Sequence, residues 1–417
     1  MTASARTAES LPEWPVPVQG GRYVGMLERH VAALREAVPH GNRKLFLDDV
    51  FVAHLLAFFN PTLRSLRTIE DFSQTRQARR HLSIRKLSKS TLSDFHQLID
   101  PRVLEPIIDR LRGEVARRDA VRDSRRLRAD LSQVVRQVLA CDGSFFTLAA
   151  DVAWAVQHAT NKGKTRASAR LDVQLDVATG LPELVNVSGQ GTSEAEHAAL
   201  HVRPGAVHLY DRGIFSFEMI VAHVAAKAFF VNRIRREGKR CPRVIVVEDR
   251  PLTERDRKAG VISDRLVRLA GSKKRSAPDV LLREVIVESP NEDGGAIRLL
   301  TNPLEVEAWV IGELYRQRWQ VELFFRWLKV YAHFDHLIGE TREALLFNFY
   351  VAVIGVLLIY LCSECKPSKY AYILLGMVAQ GGASLEEILP ILQERERRIA
   401  LERARVARRR AEKRAPS

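Results

Sequence analysis

The fold of this chain is decided by one stretch, "ELYRQRWQVELFFRWLK", residues 313–329. It contains neither Gly nor Pro, and its apolar residues follow helical spacing. Aromatic side chains fall on several sides of the predicted helix: Trp319, Phe324, Phe325 and Trp327. A helix that is apolar on most sides is normally buried. We therefore expect this helix to pack inside a domain.

Four polar residues interrupt that apolar surface in a regular way. Tyr315, Arg318, Glu322 and Lys329 are separated by three, four and seven residues, which are helical steps. At roughly 100° per residue they fall within an arc of about 60°. A narrow polar stripe therefore runs along a mostly apolar helix. This stripe is either the solvent-exposed face of an amphipathic helix or one wall of an active site.

Composition narrows the choice of partner. The chain has 417 residues, 46% of them hydrophobic, which suits two or three domains with sizeable cores. The net charge is +15 and the isoelectric point is about 9.9. Such an excess of positive charge favours a polyanionic partner, most often nucleic acid. Solubility alone, or binding to an anionic lipid surface, would account for the same charge.

The cysteines, the N-terminal stretch and one long apolar run indicate the cellular compartment in which we expect the protein. Cys362 and Cys365 form a C-x-x-C pair, but no second pair completes a zinc site, so we expect them and Cys141 and Cys241 to be free thiols. The N-terminal stretch lacks the apolar core of a signal peptide. Residues 344–362 are apolar enough to span a bilayer, but Asn348 and the mixed surroundings favour a core helix. We expect a cytoplasmic protein with no membrane partner.

Patterns along the chain predict an α/β fold with helices at both ends. Residues 168–190 show two alternating strands joined by a turn at Thr179 and Gly180, and further strand patterns follow up to residue 302. Strands mixed with helices in this way indicate a mixed sheet. The predicted segments are a loose tail (1–21), an all-helical module (22–133), a first core part (134–228), a β-rich insertion (229–305), a second core part (306–365) and a helical C-terminal region with a basic tail (366–417).

Three carboxylates have positions that suit a shared site. Asp142 ends the first predicted strand, Asp211 ends a later one, and Glu322 lies on the polar stripe. Carboxylates at strand ends and on a facing helix can converge, and hard divalent cations prefer oxygen ligands. Two such ions about 3.5–4 Å apart stabilise the attacking and leaving oxygens of phosphoryl transfer.

Each carboxylate also has an ordinary structural interpretation. Asp142 precedes a glycine, a common turn dipeptide. Asp211 could cap the helix that follows it. Glu322 could pair with Arg318 or Arg326 one turn away. Only the three together indicate a catalytic site.

The motifs around these residues resemble a known family. Tyr315, Arg318, Glu322 and Lys329 fit Y-x2-R-x3-E-x6-K, the signature of bacterial insertion-sequence DDE transposases of the insertion-sequence-four type. "LYDRGIFSFEMI" is similar to the family's second-aspartate motif, and "ACDGSFFTL" to its first-aspartate strand. The resemblance covers roughly residues 40–380 and is specific over 140–330.

The resemblance implies an RNase H-like mixed-sheet catalytic core interrupted by the β-rich insertion. Its catalytic triad would be Asp142, Asp211 and Glu322, holding two Mg²⁺ or Mn²⁺ ions. The implied chemistry is hydrolysis at transposon ends and attack of the freed 3′-hydroxyl on target DNA. Some members form a hairpin and stack an aromatic residue on a flipped base, for which Phe229 or Phe230 are candidates here.

The implied partner is double-stranded DNA, both transposon terminal repeats and target, with the chain acting as a homodimer at the bacterial nucleoid. Tyr315, Arg318 and Lys329 would hold phosphates without reading sequence. Arg326 and Arg212 are further candidates for phosphate contact. In the N-terminal module the basic candidates are Arg79, Arg80, Arg85, Lys86 and Lys89.

Two other functions stay open on the sequence alone. The same core could belong to a nuclease or Holliday-junction resolvase, against which the spacing of the four stripe residues argues. Alternatively, the chain could be a domesticated DNA-binding protein without catalysis, against which the intact carboxylates argue.

Overall fold

A computed structural model of the chain describes most of the residues between 47 and 412. The described ranges are 47–60, 65–82, 86–122, 137–148, 154–159, 165–189, 191–236, 241–271, 276–289, 295–330, 341–363 and 383–412, with a few isolated residues outside them. The predicted tail, residues 1–21, and the residues Arg85 and Cys365 lie outside this part of the chain.

The described chain forms two compact units. One comprises Met1–Leu98 and Leu358–Ser417, and the other comprises Ile99–Leu357. The helices before the first strand are α1 (Leu47–Phe59), α2 (Leu66–Ser73), α3 (Lys89–Leu98) and α4 (Glu105–Arg122), with short 3-10 turns at Ala78–Arg80 and Pro101–Leu104. In the first unit α1 is buried along almost its whole length, which matches its apolar sequence. The described part of residues 22–133 is thus helical.

In the second unit, the described residues form ten strands of one sheet. They are β1 (Gln137–Leu148), β2 (Val156–Ala159), β3 (Thr165–Asp176), β4 (Leu181–Ser188), β5 (Ala206–Tyr210), β6 (Phe229–Ile234), β7 (Val244–Asp249), β8 (Val261–Leu269), β9 (Leu282–Glu288) and β10 (Ala296–Thr301). The helices α5 (Glu194–Leu200), α6 (Phe217–Ala225) and α7 (Glu254–Lys258) connect strands. The predicted turn at Thr179 and Gly180 is confirmed, and Gly180 adopts a φ of 70° there.

The sheet is mixed, and its middle is parallel. The strand order is β2-β3-β1-β5-β6-β10-β9-β8-β7, with β4 also paired to β3. β1 runs antiparallel to β3 and parallel to β5, and β5 runs parallel to β6. From β6 onward the pairs are antiparallel. The predicted α/β class, a mixed sheet with N-terminal and C-terminal helices, is confirmed, and the RNase H-like character of the core stays a prediction. Strands β6 to β10, within the range of the predicted insertion, continue the same sheet.

Residues 313–329, predicted as one helix, belong to two consecutive helices, α8 (Ala308–Gln317) and α9 (Trp319–Val330), which meet at Arg318. Arg318 keeps helical backbone angles but its N–H bonds to the carbonyl of Tyr315 in a tighter i to i+3 turn. The apolar side of α8 packs on the sheet with buried valines and leucines of β5, β6, β9 and β10. In α9, Val321, Phe325 and Leu328 are buried. The expectation that the aromatics bury this helix on several sides is wrong for Trp319, which is half exposed.

In the C-terminal part of the chain, the described residues include two long helices, α10 (Arg342–Ser363) and α11 (Leu385–Glu412). By length and composition α10 could cross a bilayer, with a mean hydropathy of 2.4 over Arg342–Leu361. Within the protein, however, 89% of that window is buried. Asn348 donates to the carbonyls of Ile338 and Ala344, which satisfies its polar group inside the apolar helix. These features are those of a core helix.

Candidate active site

The two aspartates of the predicted triad lie side by side on neighbouring strands. In the parallel pair of β1 and β5, Ala140 is in register with Leu209. Extending that register by two residues sets Asp142 beside Asp211, and neighbouring strands are about 4.8 Å apart. Asp211 directly follows β5, as predicted. Asp142 does not end its strand: it lies in the middle of β1, paired with Val173 of β3. The Asp-Gly dipeptide is therefore part of a strand and not a turn.

The polar stripe of α8 and α9 faces these two aspartates. The hydroxyl of Tyr315 donates to Oδ1 of Asp211 at 3.1 Å. The guanidinium of Arg318 has Nη1 3.7 Å from Oδ2 of Asp142, and its Nη2 donates to Oε1 of Glu322. A single arginine, only 7% exposed, thus lies between two members of the predicted triad. The structure brings Tyr315, Arg318 and Glu322 to the strand aspartates.

Burial dominates the electrostatics of Asp142. It raises the pKa of this carboxyl to about 6, from an ordinary value of 3.8. The N–H of Gly143, 2.9 Å away, and the charge of Arg318 oppose the rise, whereas the charges of Glu194 and Asp211 add to it. Asp142 thus lies among several negative charges with too few counter-charges. Such a carboxylate gains from a bound cation.

The same surroundings shift the pKa values of two stripe residues, Arg318 and Tyr315. Burial lowers the pKa of Arg318, but its hydrogen bond to Glu322 and the nearby negative groups outweigh burial and hold the pKa above the ordinary value. Burial, together with the charge of Asp211, raises the pKa of Tyr315. Both side chains therefore keep their protons at neutral pH, as hydrogen-bond donors to carboxylates and phosphates must.

Sequence patterns did not reveal a fourth carboxylate, that of Glu194. Its Oε1 lies 2.7 Å from the position that a Cβ would take at Gly143, the residue after Asp142. Burial raises the pKa of Glu194, with the charge of Arg170 opposing and those of Asp172 and Asp211 adding. No local signal marks Glu194, because its approach to β1 depends on how α5 packs.

Other acidic residues near the strands have ordinary partners. Asp172 is held by Arg170, with Nε at 2.7 Å and Nη2 at 3.2 Å, and accepts from the Ser188 hydroxyl at 2.5 Å. Asp249, on the outermost strand, pairs with Arg265 at 3.0 Å. Neither is a substitute for the predicted triad.

The alternative role of Asp211 as a helix cap does not hold. Ser216 caps α6, accepting from the N–H of Met219 at 3.1 Å. The loop between Asp211 and α6 is instead held by Asn232 of β6, whose side chain donates to the carbonyl of Ile214. Asp211 can therefore take part in the carboxylate cluster.

The basic candidates differ in where they lie. Lys329 points at the sheet, with Nζ 4.9 Å from the ring centroid of Phe146, and burial lowers its pKa. Arg212 and Arg326 are exposed. Arg233 of β6, which no sequence pattern singled out, lies 3.7 Å from Asp211. Positive charge therefore reaches the carboxylates from Arg318, where α8 meets α9, and from β6.

The basic candidates of the N-terminal module belong to the other unit. Arg79, Arg80, Lys86 and Lys89 are exposed, and Arg85 lies outside the described residues. Lys86 pairs with Glu70 at 2.8 Å, and the backbone N–H of Lys89 donates to the same carboxylate. Their role in DNA binding stays a prediction.

The donor set fits a hard divalent cation by its chemistry. Asp142, Asp211 and Glu322 offer only oxygen ligands, as Mg²⁺ and Mn²⁺ prefer. Among the described residues, no three Asp, Glu, His or Cys side chains are close enough to share an ion. The Arg318 guanidinium lies between two of the carboxylates and supplies the positive charge there.

Comparison with known proteins shows which family the chain belongs to. The family described as "Transposase DDE domain" matches residues 134–359, more than half of the chain. The chain belongs to the transposase DDE domain family. The predicted resemblance to insertion-sequence transposases is thereby confirmed, and membership of the DDE family implies divalent-metal catalysis.

Relatives of this DDE domain protein occur in several bacteria. "Putative transposase y4zB" of Sinorhizobium fredii is 30% identical over 211 residues, covering 49% of this chain and 56% of that protein. "Probable transposase for insertion sequence element IS5377" of Geobacillus stearothermophilus is 38% identical over 85 residues, 20% of this chain and 22% of that protein. "Putative transposase for insertion sequence element IS4SA" of Synechocystis sp. is 33% identical over 76 residues, 16% and 22% respectively. The chain thus spans about half or less of the length of these relatives.

One solved structure overlaps weakly with the DDE domain chain. The piggyBac transposase synaptic complex with hairpin DNA has a TM-score of 0.36 and 11% sequence identity, covering 87% of this chain and 76% of that one. Likeness at this level supports no functional argument.

Of the two phenylalanines predicted as candidates for stacking on a flipped base, Phe230 is fully buried inside the sheet, where a DNA base cannot reach it.

Proposed function

We propose that this chain is a transposase that cleaves double-stranded DNA at the ends of its element and joins the freed 3′ ends to target DNA. The observation that carries the proposal is the contact of the stripe with the sheet. Arg318 lies between Asp142 and Glu322, and Tyr315 bonds to Asp211. A structural helix would need no such contacts with two aspartates on parallel strands.

Asp142, Asp211 and Glu322 would hold two Mg²⁺ or Mn²⁺ ions, the count and identity suited to phosphoryl transfer. When bound, the ions would activate the attacking oxygen and stabilise the leaving oxygen. The chain itself provides the setting. Burial of Asp142 against β3 and β5 excludes water from one side of the site, which strengthens the attraction of its charge for a cation.

The stripe would hold the DNA backbone at the cleaved bond. Arg318 presents a planar fork of donors that suits phosphate, and Lys329 adds a point charge. Tyr315 orients Asp211 through its hydroxyl. The exposed side chains of Arg212 and Arg326 would contact the phosphates further along. These contacts position the DNA and carry no sequence information.

Recognition of the terminal repeats would fall to the N-terminal module. The exposed residues Arg79, Arg80, Lys86 and Lys89, with Arg85, would bind end DNA, in keeping with the net charge of +15. Two copies of the chain would hold the two ends of the element together in the bacterial cytoplasm, at the nucleoid.

A joining assay tests the proposal. The full chain is incubated with linear DNA carrying the sequences that flank its gene, a supercoiled plasmid and Mg²⁺. We expect joined product that depends on Mg²⁺ and is lost in EDTA. With a DNA already cut at the end of the element, joining should also be lost when that 3′ end is a dideoxynucleotide. Cleavage without joining would instead favour a nuclease or resolvase. Binding of the DNA with neither cleavage nor joining would favour a non-catalytic DNA-binding protein.

A further inference from the structure

We propose that Glu194 is a fourth acidic residue of the catalytic centre and would bind a divalent cation beside Asp142, since one or two carboxylates are enough for such an ion. This inference rests on the proposed function. It adds a ligand that neither the sequence motif nor the family match supplies, from the helix between β4 and β5.

The start of α5 fixes where Glu194 lies. Ser193 caps the helix, accepting from the N–H of Glu196 at 3.2 Å, while the Glu196 carboxylate accepts from the N–H of Ser193 at 2.7 Å. Glu196, which is exposed, thus forms the capping box with Ser193. Glu194 is left as the first residue of the helix, half-buried, with no hydrogen bond or ion pair to another residue in the described part of the chain.

The carboxylate of Glu194 reaches both aspartate-bearing segments. Its Oε1 lies 2.7 Å from where a Cβ at Gly143 would stand, and its Oε2 lies 3.5 Å from the equivalent point at Gly213. Those glycines follow Asp142 by one residue and Asp211 by two. A Cβ at position 143 would press on this carboxylate and also on Arg170 and Asp172, each 3.0 Å away, so the glycine in the middle of β1 leaves room for this cluster of side chains.

An unpartnered histidine beside this carboxylate marks the same place as a ligand site. Asp142, Asp172, Glu194 and His197 line a cavity of about 10 Å³, the volume open to the centre of a water molecule. This volume is about enough for one water molecule or one small ion. His197 is only 6% exposed, and its Nε2 has no hydrogen-bond partner among the described residues. A buried polar atom without a partner is costly, so the cavity calls for a water molecule or ion.

A purely structural role for Glu194 has little support. Arg170, whose charge acts on Glu194, already makes two hydrogen bonds to Asp172, and Asp172 also accepts one from Ser188. Asp172 is therefore the neutralised acid of this cluster, and Glu194 is the one whose charge remains available.

Metal binding by the full chain without DNA tests the inference. Mn²⁺ affinity is measured by the loss of the free-ion paramagnetic resonance signal for wild type, Glu194→Gln, Glu194→Asp and Glu196→Gln, with Asp142→Asn as reference. Glu196→Gln removes the same charge from the same helix, and Gln still completes a capping box. A thermal melt in EDTA verifies that each variant is folded.

We expect Glu194→Gln to weaken Mn²⁺ binding at least tenfold, Glu194→Asp to weaken it less, and Glu196→Gln to stay within about twofold of wild type. Wild-type affinity in Glu194→Gln beside a loss in Asp142→Asn would overturn the inference and leave the proposed function standing. If the wild-type chain bound no Mn²⁺, both would fall. Equal losses in Glu194→Gln and Glu196→Gln would reveal a general charge effect and would also overturn the inference.

Discussion

The hydroxyl of Tyr315 donates a hydrogen bond of 3.1 Å to Oδ1 of Asp211, joining residues 104 apart in sequence. Tyr315 lies in the last turn of α8 and packs in the apolar cluster between that helix and the sheet. The bond therefore ties the position of the helix to the end of β5. Since Arg318 and Glu322 follow on the same stripe, their placement at the aspartates depends on how α8 is seated.

Loss of this hydroxyl should have a mild effect. Tyr315→Phe keeps the packed ring and removes one hydrogen bond, so we expect a loss of about 0.5–1.5 kcal/mol in the free energy of unfolding. The joining rate should fall less than tenfold, because Asp211 remains present. Thermal melts in EDTA and joining time courses measure the two effects. A loss of joining as complete as that of Asp211→Asn would contradict a purely orienting role for the tyrosine.

Removal of Arg318 should destabilise the protein chiefly when metal is absent. Arg318→Ala leaves Asp142 and Glu322 without their shared counter-charge, at a cost of about 3 kcal/mol. Mg²⁺ should restore much of that stability, since it neutralises the same carboxylates. Thermal melts of wild type and Arg318→Ala, recorded in EDTA and in Mg²⁺, measure these stabilities.

The matched control for Arg318 is Arg316→Ala. Arg316 is an exposed arginine paired with Glu313 at 2.9 Å, and such a pair contributes less than about 1 kcal/mol. Equal changes in the two variants, or no rescue of Arg318→Ala by Mg²⁺, would show that Arg318 does not substitute for a cation.

The raised pKa of Asp142 predicts a stability change with a definite sign. Folding raises this pKa from 3.8 to about 6, so the folded state prefers the protonated carboxyl. The cost of ionisation is absent below about pH 4, grows between pH 4 and 6, and is complete above 6. Asp142→Asn removes it. In EDTA at pH 8 the variant should be more stable than wild type by roughly 3 kcal/mol, at about 1.4 kcal/mol per pKa unit, and near pH 4 the two should be similar. A wild type more stable than the variant at pH 8 would refute this.

The N-terminal module should bind DNA through phosphates. Lys86→Ala should weaken binding to the flanking DNA and reduce the slope of log affinity against log salt by about 1, because one fewer counterion is released. Lys258→Ala is the matched control, since Lys258 is also exposed and also paired with a glutamate. Gel shifts at several salt concentrations measure the slopes. Identical slopes for the two variants would assign Lys86 to an ordinary solvated surface.

The stripe could be predicted from sequence because helical spacing is a local property. Tyr315, Arg318 and Glu322 needed only their separations to be placed on one face, and the structure brings all three to the aspartates. The α/β class was also accessible, since alternation and turn residues mark strands such as β3 and β4. The order of the ten strands was not, because pairing between distant strands has no local signal.

The carboxylates show where sequence reasoning reached its limit. Asp142 was expected at a strand end because Asp-Gly is a common turn dipeptide. In the protein Gly143 stays in the strand and makes room for Glu194. Glu194 itself escaped notice, since its proximity to Asp142 follows from the packing of α5. The tight turn at Arg318, which divides the predicted single helix, had no marker such as Gly or Pro either.

The most direct test of the proposed mechanism is the joining assay with Glu322→Gln beside Glu313→Gln. Both glutamates are half-buried on consecutive helices and both pair with an arginine, but only Glu322 is assigned to the metal ions. Glu322→Gln should abolish cleavage and joining in Mg²⁺ while DNA binding in a gel shift stays within about threefold of wild type. Glu313→Gln should join at nearly the normal rate. If Glu322→Gln still joined ends to target at the wild-type rate, Glu322 would be a structural partner of Arg318 and the proposed mechanism would be wrong.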